Sequence, residues 1–146
     1  MKLRGRIRPI RKEDLSECRD IIYSDLDTAC ENKDRIRLMK HYSSINLKRF
    51  LREAETFFVF VKNKNVLATG RITKRNEICT VYVKIGFQKI GIGKQMVKKL
   101  EDHARNSGIK KVHVHALASA IGFYEKLGYS PRRNTSKRFN KMEKKL

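Results

Sequence analysis

The stretch Val81-Tyr-Val-Lys-Ile-Gly-Phe-Gln-Lys-Ile-Gly-Ile-Gly-Lys94 decides the fold of this chain. It begins with β-branched and aromatic residues, which predict the end of a strand. Residues 88–93 then read Q-x-x-G-x-G, and an amphipathic helical pattern starts at once. This order directs backbone N–H groups and the positive end of a helix dipole to one place, where glycine lets a phosphate approach the backbone. We therefore predict an anion cradle, and a cofactor with a pyrophosphate is the leading hypothesis.

The glycine spacing separates this turn from two common nucleotide-binding loops. The pattern G-x-x-x-x-G-K-[ST] of ATP and GTP sites does not fit the turn. The dinucleotide pattern G-x-G-x-x-G does not fit either, because only Gly91 and Gly93 follow Gly86 there. A tight strand-to-helix turn without any ligand is the alternative, since short glycine motifs also arise by chance.

Length and composition predict one domain with a strongly basic surface. The chain has 146 residues, of which 40% are hydrophobic and 34% charged, and we expect a single domain over residues 1–146. Its 35 Lys and Arg against 15 Asp and Glu give a formal charge of +20. Such an excess predicts weak attraction to polyanions such as nucleic acid, the ribosome or a phosphorylated cofactor, without specificity. A solvated basic surface is the alternative for most of these side chains.

Cysteine usage and hydropathy bear on the compartment. Cys18, Cys30 and Cys79 are scattered and show no C-x-x-C spacing, so we expect neither a disulfide framework nor a zinc site, and a cytoplasmic location. The first nine residues lack the apolar region of a signal peptide. The apolar run at 57–61 is too short to cross a bilayer, and we expect no membrane association.

The order of the predicted elements favours an α+β architecture. Three antiparallel strands joined by polar turns are expected from Thr56 onward, then the glycine turn and a helix that ends near Gly108. The strand at 111–115 follows a helix, which predicts that it runs parallel to the strand at 78–83. The three antiparallel strands are expected at 57–61, 66–72 and 78–83. The other expected elements are a strand at 3–9, a helix at 12–27, a helix at 47–54 capped by Asn46, a helix at 118–127, and a last strand at 137–144. The sheet is therefore mixed but mostly antiparallel, with helices on its flanks.

Two motifs in one order resemble the GNAT superfamily of acetyl-CoA-dependent N-acetyltransferases. One is the glycine turn, and the other is Ala-x-Ala-Ile-Gly-Phe-Tyr-Glu-Lys-Leu-Gly-Tyr129. Residues 7–15 look like the family's opening strand and helix, and residues 113–129 look like its closing strand and helix. The resemblance implies the GNAT fold, in which two parallel strands splay apart and acetyl-CoA, a co-substrate, lies in the gap.

The family's cofactor motif maps onto this chain residue by residue. The pantetheine arm would bond to the backbone along the strand, and the pyrophosphate would take amides of the turn. The implied cofactor-binding residues are Val81, Tyr82, Val83, Gln88, Lys89, Ile90, Gly91, Ile92, Gly93 and Lys94. Lys89 and Lys94 would also attract phosphate by charge, and simple exposure to solvent is the alternative for both.

The resemblance also implies a mechanism without a metal. A neutral amine attacks the thioester directly, and the N–H of Val83 stands where the family places the donor to the oxyanion. Tyr124 matches the tyrosine that gives a proton to the departing thiolate. The alternative for Tyr124 is a core residue packed by its ring.

The general base stays open at this point. Glu77 can relay an amine proton through water from the start of the strand that leads to the cofactor. His113 and His115 share one face of the next strand, because strand side chains alternate, and an imidazole suits a base near neutral pH. Buried structural histidines are the alternative, and two histidines at this spacing can also hold a metal weakly.

The acceptor is the least determined part of the prediction. Leu117 stands where the family often has Asn or Gln, which puts substrate handling in doubt. A protein N-terminus, a lysine, a polyamine and a small metabolite are all open as acceptors, and Asp20, Asp25 and Asp27 would favour a cationic one. Two other functions stay open, a basic nucleic-acid or ribosome-associated module and an inactive acyl-CoA sensor. A homodimer is left open too.

Overall fold

The computed structural model describes residues 3–29, 32–52, 56–132 and 140–146. Its strands are β1 Arg6–Pro9, β2 Thr56–Lys62, β3 Asn65–Ile72, β4 Ile78–Val83, β5 Lys111–Ala116, β6 Ser130–Pro131 and β7 Asn140–Lys145. Its helices are α1 Leu15–Ala29, α2 Asn32–His41, α3 Ser44–Arg52, α4 Ile92–Asn106 and α5 Ile121–Lys126. A 3-10 turn precedes α1 at Lys12–Asp14, and another precedes α5 at Ala118–Ala120. Among the described residues, no helix is long and apolar enough to cross a membrane.

The strands form two antiparallel sheets, ordered β1-β2-β3-β4 and β5-β7-β6. The predicted meander is present, and Asn63 and Lys64 turn its first hairpin with φ of 50° and 65°. The sheets meet at a parallel bridge between Glu77 and His113, where the His113 N–H donates to the Asn76 carbonyl at 3.1 Å. From this bridge β4 and β5 run side by side without forming a ladder. The predicted parallel, splayed pair is confirmed.

A bulge in β4 accompanies this divergence. The pairing of β4 with β3 shifts between Thr69 and Arg71, and Thr80 has a φ of +57°, a left-handed conformation that β-branched residues rarely adopt. Two hydrogen bonds hold Thr80 in this conformation. The Thr80 hydroxyl donates to the Tyr42 hydroxyl at 3.2 Å, and the Thr69 hydroxyl donates to the Thr80 carbonyl at 2.7 Å. The bulge is therefore fixed by two buried side chains, Tyr42 just after α2 and Thr69 on β3.

The main core lies between the sheets and α4. The amphipathic spacing of α4 buries Met96, Val97, Leu100 and Ala104 against Val112 and other residues of both sheets. A second cluster, which includes Ile22, Leu26, Leu47 and Phe57, packs α1 and α3 on the opposite face of the first sheet. Gly108 has a φ of +81° and follows the last turn of α4, as its predicted capping role requires.

Three details of the prediction differ from the structure. Asn46 does not cap a helix: α3 begins at Ser44, and the Asn46 side-chain amide instead donates to the Lys40 carbonyl near the end of α2, at 2.9 Å. The first strand is shorter than residues 3–9, and β6 was not predicted. The end predicted for the helix at 47–54 and the start of the strand predicted at 137–144 lie outside the described residues.

A buried ion pair stabilises the N-terminal segment. Arg8 donates to both carboxylate oxygens of Asp14, at 2.7 and 3.0 Å, and the Arg11 N–H donates to the same carboxylate at 2.7 Å. The Asp14 side chain is 8% exposed. The hydrogen bond from Arg8 is the main reason why the pKa of Asp14 is lowered, and burial opposes it.

We expect Asp14→Asn to lower the free energy of unfolding by about 2 kcal/mol, because it removes the charge-assisted hydrogen bonds between Asp14 and the partly buried Arg8. Since the folded-state pKa of Asp14 is lowered, its stabilisation is present above the unfolded pKa of about 4 and is lost as the pH falls through the folded value. The difference between variant and wild type should therefore shrink in acid. Urea unfolding at several pH values measures this.

Asp102→Asn is the matched control, because it breaks an exposed ion pair with Arg105. Exposed pairs contribute little, and we expect a loss below about 1 kcal/mol at every pH. Equal losses for the two variants would contradict the role of Asp14.

Candidate active site

A cleft of about 550 Å³ opens between β4 and the segment of α5. It is bounded by β4, by the glycine turn with the start of α4, and by the segment of α5. The residues that line it are Asp25, Val81, Tyr82, Val83, Gln88, Lys89, Gly91, Gly93, Lys94, Ser119, Ala120, Phe123, Lys126 and Leu127. The two motifs that resemble GNAT proteins therefore form opposite walls of one opening.

The glycine turn has the backbone shape of an anion cradle. Gly91 has a φ of +93°, and a Cβ added there would meet no atom within 4 Å, so the space beside it is open. The Gln95 N–H donates to the Gly91 carbonyl at 3.1 Å and closes the first turn of α4. The amides of residues 92–94 belong to the helix start, where no acceptor within the helix is available to them. They lie at the positive end of a helix dipole, next to the exposed Lys89 and Lys94.

The backbone of β4 presents polar groups to the cleft. The Lys84 N–H donates to the Leu67 carbonyl of β3 at 2.8 Å. Because backbone groups alternate sides along a strand, those of Val83 point away from β3, toward the gap. The position of the Gln88 side chain is consistent with this orientation of Val83, since Gln88 Nε2 donates to the Val83 carbonyl oxygen at 3.1 Å.

Gln88 also connects the turn to α1. Its Nε2 donates to the Asp25 carboxylate at 3.1 Å, in addition to the Val83 carbonyl. Burial raises the pKa of Asp25, and the hydrogen bond from Gln88 opposes this. Sequence reasoning placed Asp25 with Asp20 in an acidic acceptor region. Asp20 instead lines a separate pocket of about 210 Å³, and the side chain of Asp27 lies outside the described part of the chain.

The other residues predicted for the cofactor take different positions. Ile92 is 1% exposed and packs in the main core, so only its backbone is available to the turn. Ile90 is 41% exposed. Gly93 approaches α5 closely, because an added Cβ would lie 3.4 Å from the Phe123 ring. Phe123 was not predicted as a site residue, and its place in the tyrosine motif was the available signal.

Tyr124 lies behind the cleft wall rather than on its surface. Its ring is buried and contacts Phe123 and Tyr129, with centroid distances of 5.0 and 5.4 Å. Burial raises the pKa of its phenol, and the nearby Cys79 and Tyr42 raise it further. The phenol therefore lies in the neighbourhood of Cys79 on β4 and of Tyr42. A phenol in this environment stays protonated and can serve as a proton donor.

Glu77, His113 and His115 meet at the narrow end of the splayed pair. His115 Nδ1 lies 3.3 Å from a Glu77 carboxylate oxygen, and the two imidazole rings are edge to face at 5.4 Å. Burial lowers the pKa of His113, while the charge of Glu77 opposes the shift. The structure thus brings together the three side chains that sequence reasoning considered as a base. Leu117 stands just after β5, half-buried.

Tyr42 is a residue of the site region that sequence reasoning missed. It is 6% exposed, accepts the Thr80 hydroxyl and contacts the Tyr82 ring edge to face at 5.7 Å. Burial raises its pKa. It lies between α2 and α3, where the sequence pattern was weakest, and no sequence signal linked it to β4.

Comparisons with known proteins agree with this geometry. YyaT of Bacillus subtilis (strain 168) is 35% identical over 60 residues, which are 41% of this chain and 38% of that protein. The B. subtilis protein BSU40680 is 36% identical over 69 residues, 47% of this chain and 45% of that protein. This chain thus matches less than half the length of these curated relatives.

Solved structures match along the whole chain. A GCN5-related N-acetyltransferase from Rhodopseudomonas palustris superposes with a TM-score of 0.89 at 16% identity, covering 100% of this chain and 98% of that one. The PaiA N-acetyltransferase from Thermoplasma acidophilum, in complex with coenzyme A, gives 0.85 at 18% identity and covers 99% and 100%. At such identities the likeness establishes the fold. The model of the acetyltransferase (GNAT) family matches residues 15–129, and this chain therefore belongs to that family.

Proposed function

We propose that this protein is an N-acetyltransferase that moves the acetyl group of acetyl-CoA to a primary amine. The observation that carries the proposal is the glycine turn at the cleft between β4 and α5, with Lys89, Lys94 and Lys126 on its lining. Amides, a helix start and three cations suit the phosphates of coenzyme A. The coenzyme A bound to the structural relative from T. acidophilum supports this choice of ligand.

The cofactor would lie along β4 with its phosphates at the turn. The pantetheine arm resembles an added strand and would bond to the backbone at Val81 and Val83. Phe123 and Leu127 provide an apolar wall on the other side. Because Gln88 already donates to the Val83 carbonyl, the arm and Gln88 would share or exchange this acceptor.

The reaction would proceed by direct attack. The neutral amine nitrogen forms a bond to the carbonyl carbon, and the oxyanion that develops accepts a hydrogen bond from the Val83 N–H. The C–S bond then breaks, and the thiolate takes a proton from Tyr124. Glu77 or His113 would accept the amine proton, through water. This route requires no metal.

The acceptor is proposed only as a class. A protein N-terminus, a lysine side chain and a small metabolite all present the primary amine that this route needs. Asp25 is the acidic residue among those that line the cleft, and Gln88 engages it. The charge of +20 supports weak polyanion binding beside catalysis. A cytoplasmic location and a homodimer stay predictions.

Ligand-induced stabilisation tests the cofactor. We expect acetyl-CoA at about 100 times its Kd to stabilise the fold by about 2.7 kcal/mol, which raises Tm by several degrees. Pantetheine, which lacks the pyrophosphate, is the control and should raise Tm much less at the same concentration. If saturating acetyl-CoA leaves Tm unchanged, the transferase and the acyl-CoA sensor are both ruled out. Thiol release across a panel of amines then separates a transferase from a sensor and identifies the acceptor.

A further inference from the structure

Three side chains with metal-binding atoms converge where the two sheets meet. Glu77 and His113 are partners in the parallel bridge, and His115 lies two residues further along the same face of β5. One ligand atom from each residue can be chosen so that all three lie within 4.8 Å of one another. The sequence alone offered a pair of histidines. The carboxylate comes from a distant segment and joins them through the sheet pairing.

The spacing of these atoms suits an ion with short bonds. Zinc bonds to nitrogen and oxygen are about 2.1 Å long, so neighbouring ligand atoms in a tetrahedral site lie about 3.4 Å apart. His115 Nδ1 and the Glu77 carboxylate oxygen are already 3.3 Å apart. Closing the set around an ion therefore requires His113 to approach by up to about 1.4 Å, which a side-chain rotation on a half-buried residue provides.

The chemistry of the donors selects the kind of ion. Two imidazoles and one carboxylate form a donor set that holds Zn²⁺ with a coordination position left open. Magnesium and calcium prefer oxygen ligands and are disfavoured by two nitrogens. We propose that Glu77, His113 and His115 form a binding site for a divalent transition-metal ion, and that Zn²⁺ occupies it.

The surrounding charges moderate the affinity. Lys141 faces His115 across the β5–β7 pairing and repels a cation. Glu143 faces His113, but Lys111 and Arg132 already engage it at 3.5 and 3.2 Å. The Cys79 thiol, two residues after Glu77, accepts a hydrogen bond from Arg71 Nε at 3.2 Å. Within the described part of the chain the site therefore has three protein ligands, and neither Glu143 nor Cys79 completes it.

Occupancy would have a direct consequence for the proposed chemistry. An ion that binds Glu77 and His113 removes both candidate bases, so zinc should inhibit acetyl transfer. The binding itself does not rest on the proposed function, and it is tested here without cofactor or acceptor. Leaving coenzyme A out also avoids the competition of its thiol for zinc.

Calorimetric titration of the cofactor-free chain with ZnCl2 tests the site. We expect one Zn²⁺ per chain at this site, and His113→Ala and His115→Ala should each weaken its binding at least 100-fold, since even outer residues cost about 10–100-fold. His103→Ala is the matched control, because it also removes an imidazole. The His103 side chain is on α4, and its Nε2 lies 3.2 Å from Thr56 Oγ1. His103→Ala should leave zinc binding unchanged, and so should Cys79→Ser.

Several results would overturn the proposal. They are the absence of zinc binding to the wild type, binding that survives the double histidine variant, and binding that disappears in Cys79→Ser. Lys141→Gln provides a test that does not depend on removing a ligand. Because it removes a nearby positive charge, it should tighten zinc binding about 3–10-fold, and an unchanged Kd would contradict the site. Tm of each zinc-free variant verifies that it is folded.

Discussion

Tyr124→Phe should lower kcat for acetyl transfer by about 100-fold or more, because a positioned general acid typically contributes 10²–10⁴-fold. The phenol is buried beside Phe123, and burial raises its pKa and so keeps it in the protonated form that a donor needs. The departing thiolate would otherwise have to leave as an anion. Steady-state kinetics with acetyl-CoA and a responsive amine measure the loss.

Comparing the effect of Tyr124→Phe on kcat with its effect on coenzyme A affinity distinguishes a proton donor from a packing residue. The variant keeps the ring, so its contacts with Phe123 and Tyr129 persist, and the Kd for coenzyme A should change by less than about threefold. Tyr129→Phe is the matched control. It removes the hydroxyl of another buried tyrosine, which donates to a Glu101 carboxylate oxygen at 2.9 Å. In the variant Glu101 retains its ion pair with Lys144, whose Nζ lies 3.0 Å from the carboxylate.

We expect Tyr129→Phe to lower stability and to leave kcat nearly unchanged. If both variants lose turnover equally, Tyr124 acts through the packing of α5 rather than as an acid. If Tyr124→Phe is fully active, another group protonates the thiolate, and the proposed role is wrong.

The elements from β2 to α5 were predictable because their signals are local. Alternation marks β5, helical spacing marks α4, and the glycine turn marks the junction between β4 and α4. Asn63 and Lys64 turn the first hairpin within a polar run of sequence. Each of these features depends on neighbours in sequence, so the pattern and the physics coincide. The divergence of β4 and β5, by contrast, was expected only from the family resemblance.

Contacts between distant segments were not predictable. Thr80 adopts a left-handed conformation that its side chain disfavours, and a hydroxyl from beyond α2 holds it there. Asn46 looked like a helix cap, but the carbonyl it satisfies belongs to the preceding helix. The exposed Ser130–Pro131 carries no strand pattern, and its pairing with β7 depends on tertiary packing. The proximity of Glu77 to both histidines likewise depends on how the two sheets pair at the Glu77–His113 bridge, which no local sequence pattern encodes.

Gly91→Val should weaken the binding of coenzyme A at least 100-fold, which corresponds to about 2.7 kcal/mol. The glycine has a φ of +93°, and no atom lies within 4 Å of the position that a Cβ would take. In our proposal this open space receives the pyrophosphate. A branched side chain would fill it and would also strain the backbone, at a cost of about 1–3 kcal/mol.

A matched glycine separates these two effects. Gly108 stands just beyond the opposite end of α4, with a φ of +81° and equally open space around its Cβ position. Gly108→Val should therefore lower the free energy of unfolding by a similar amount while leaving the Kd for coenzyme A unchanged. Calorimetry gives the Kd, and urea unfolding gives the stability. If both variants bind coenzyme A as tightly as the wild type, the turn does not hold the diphosphate, and the cofactor must lie elsewhere.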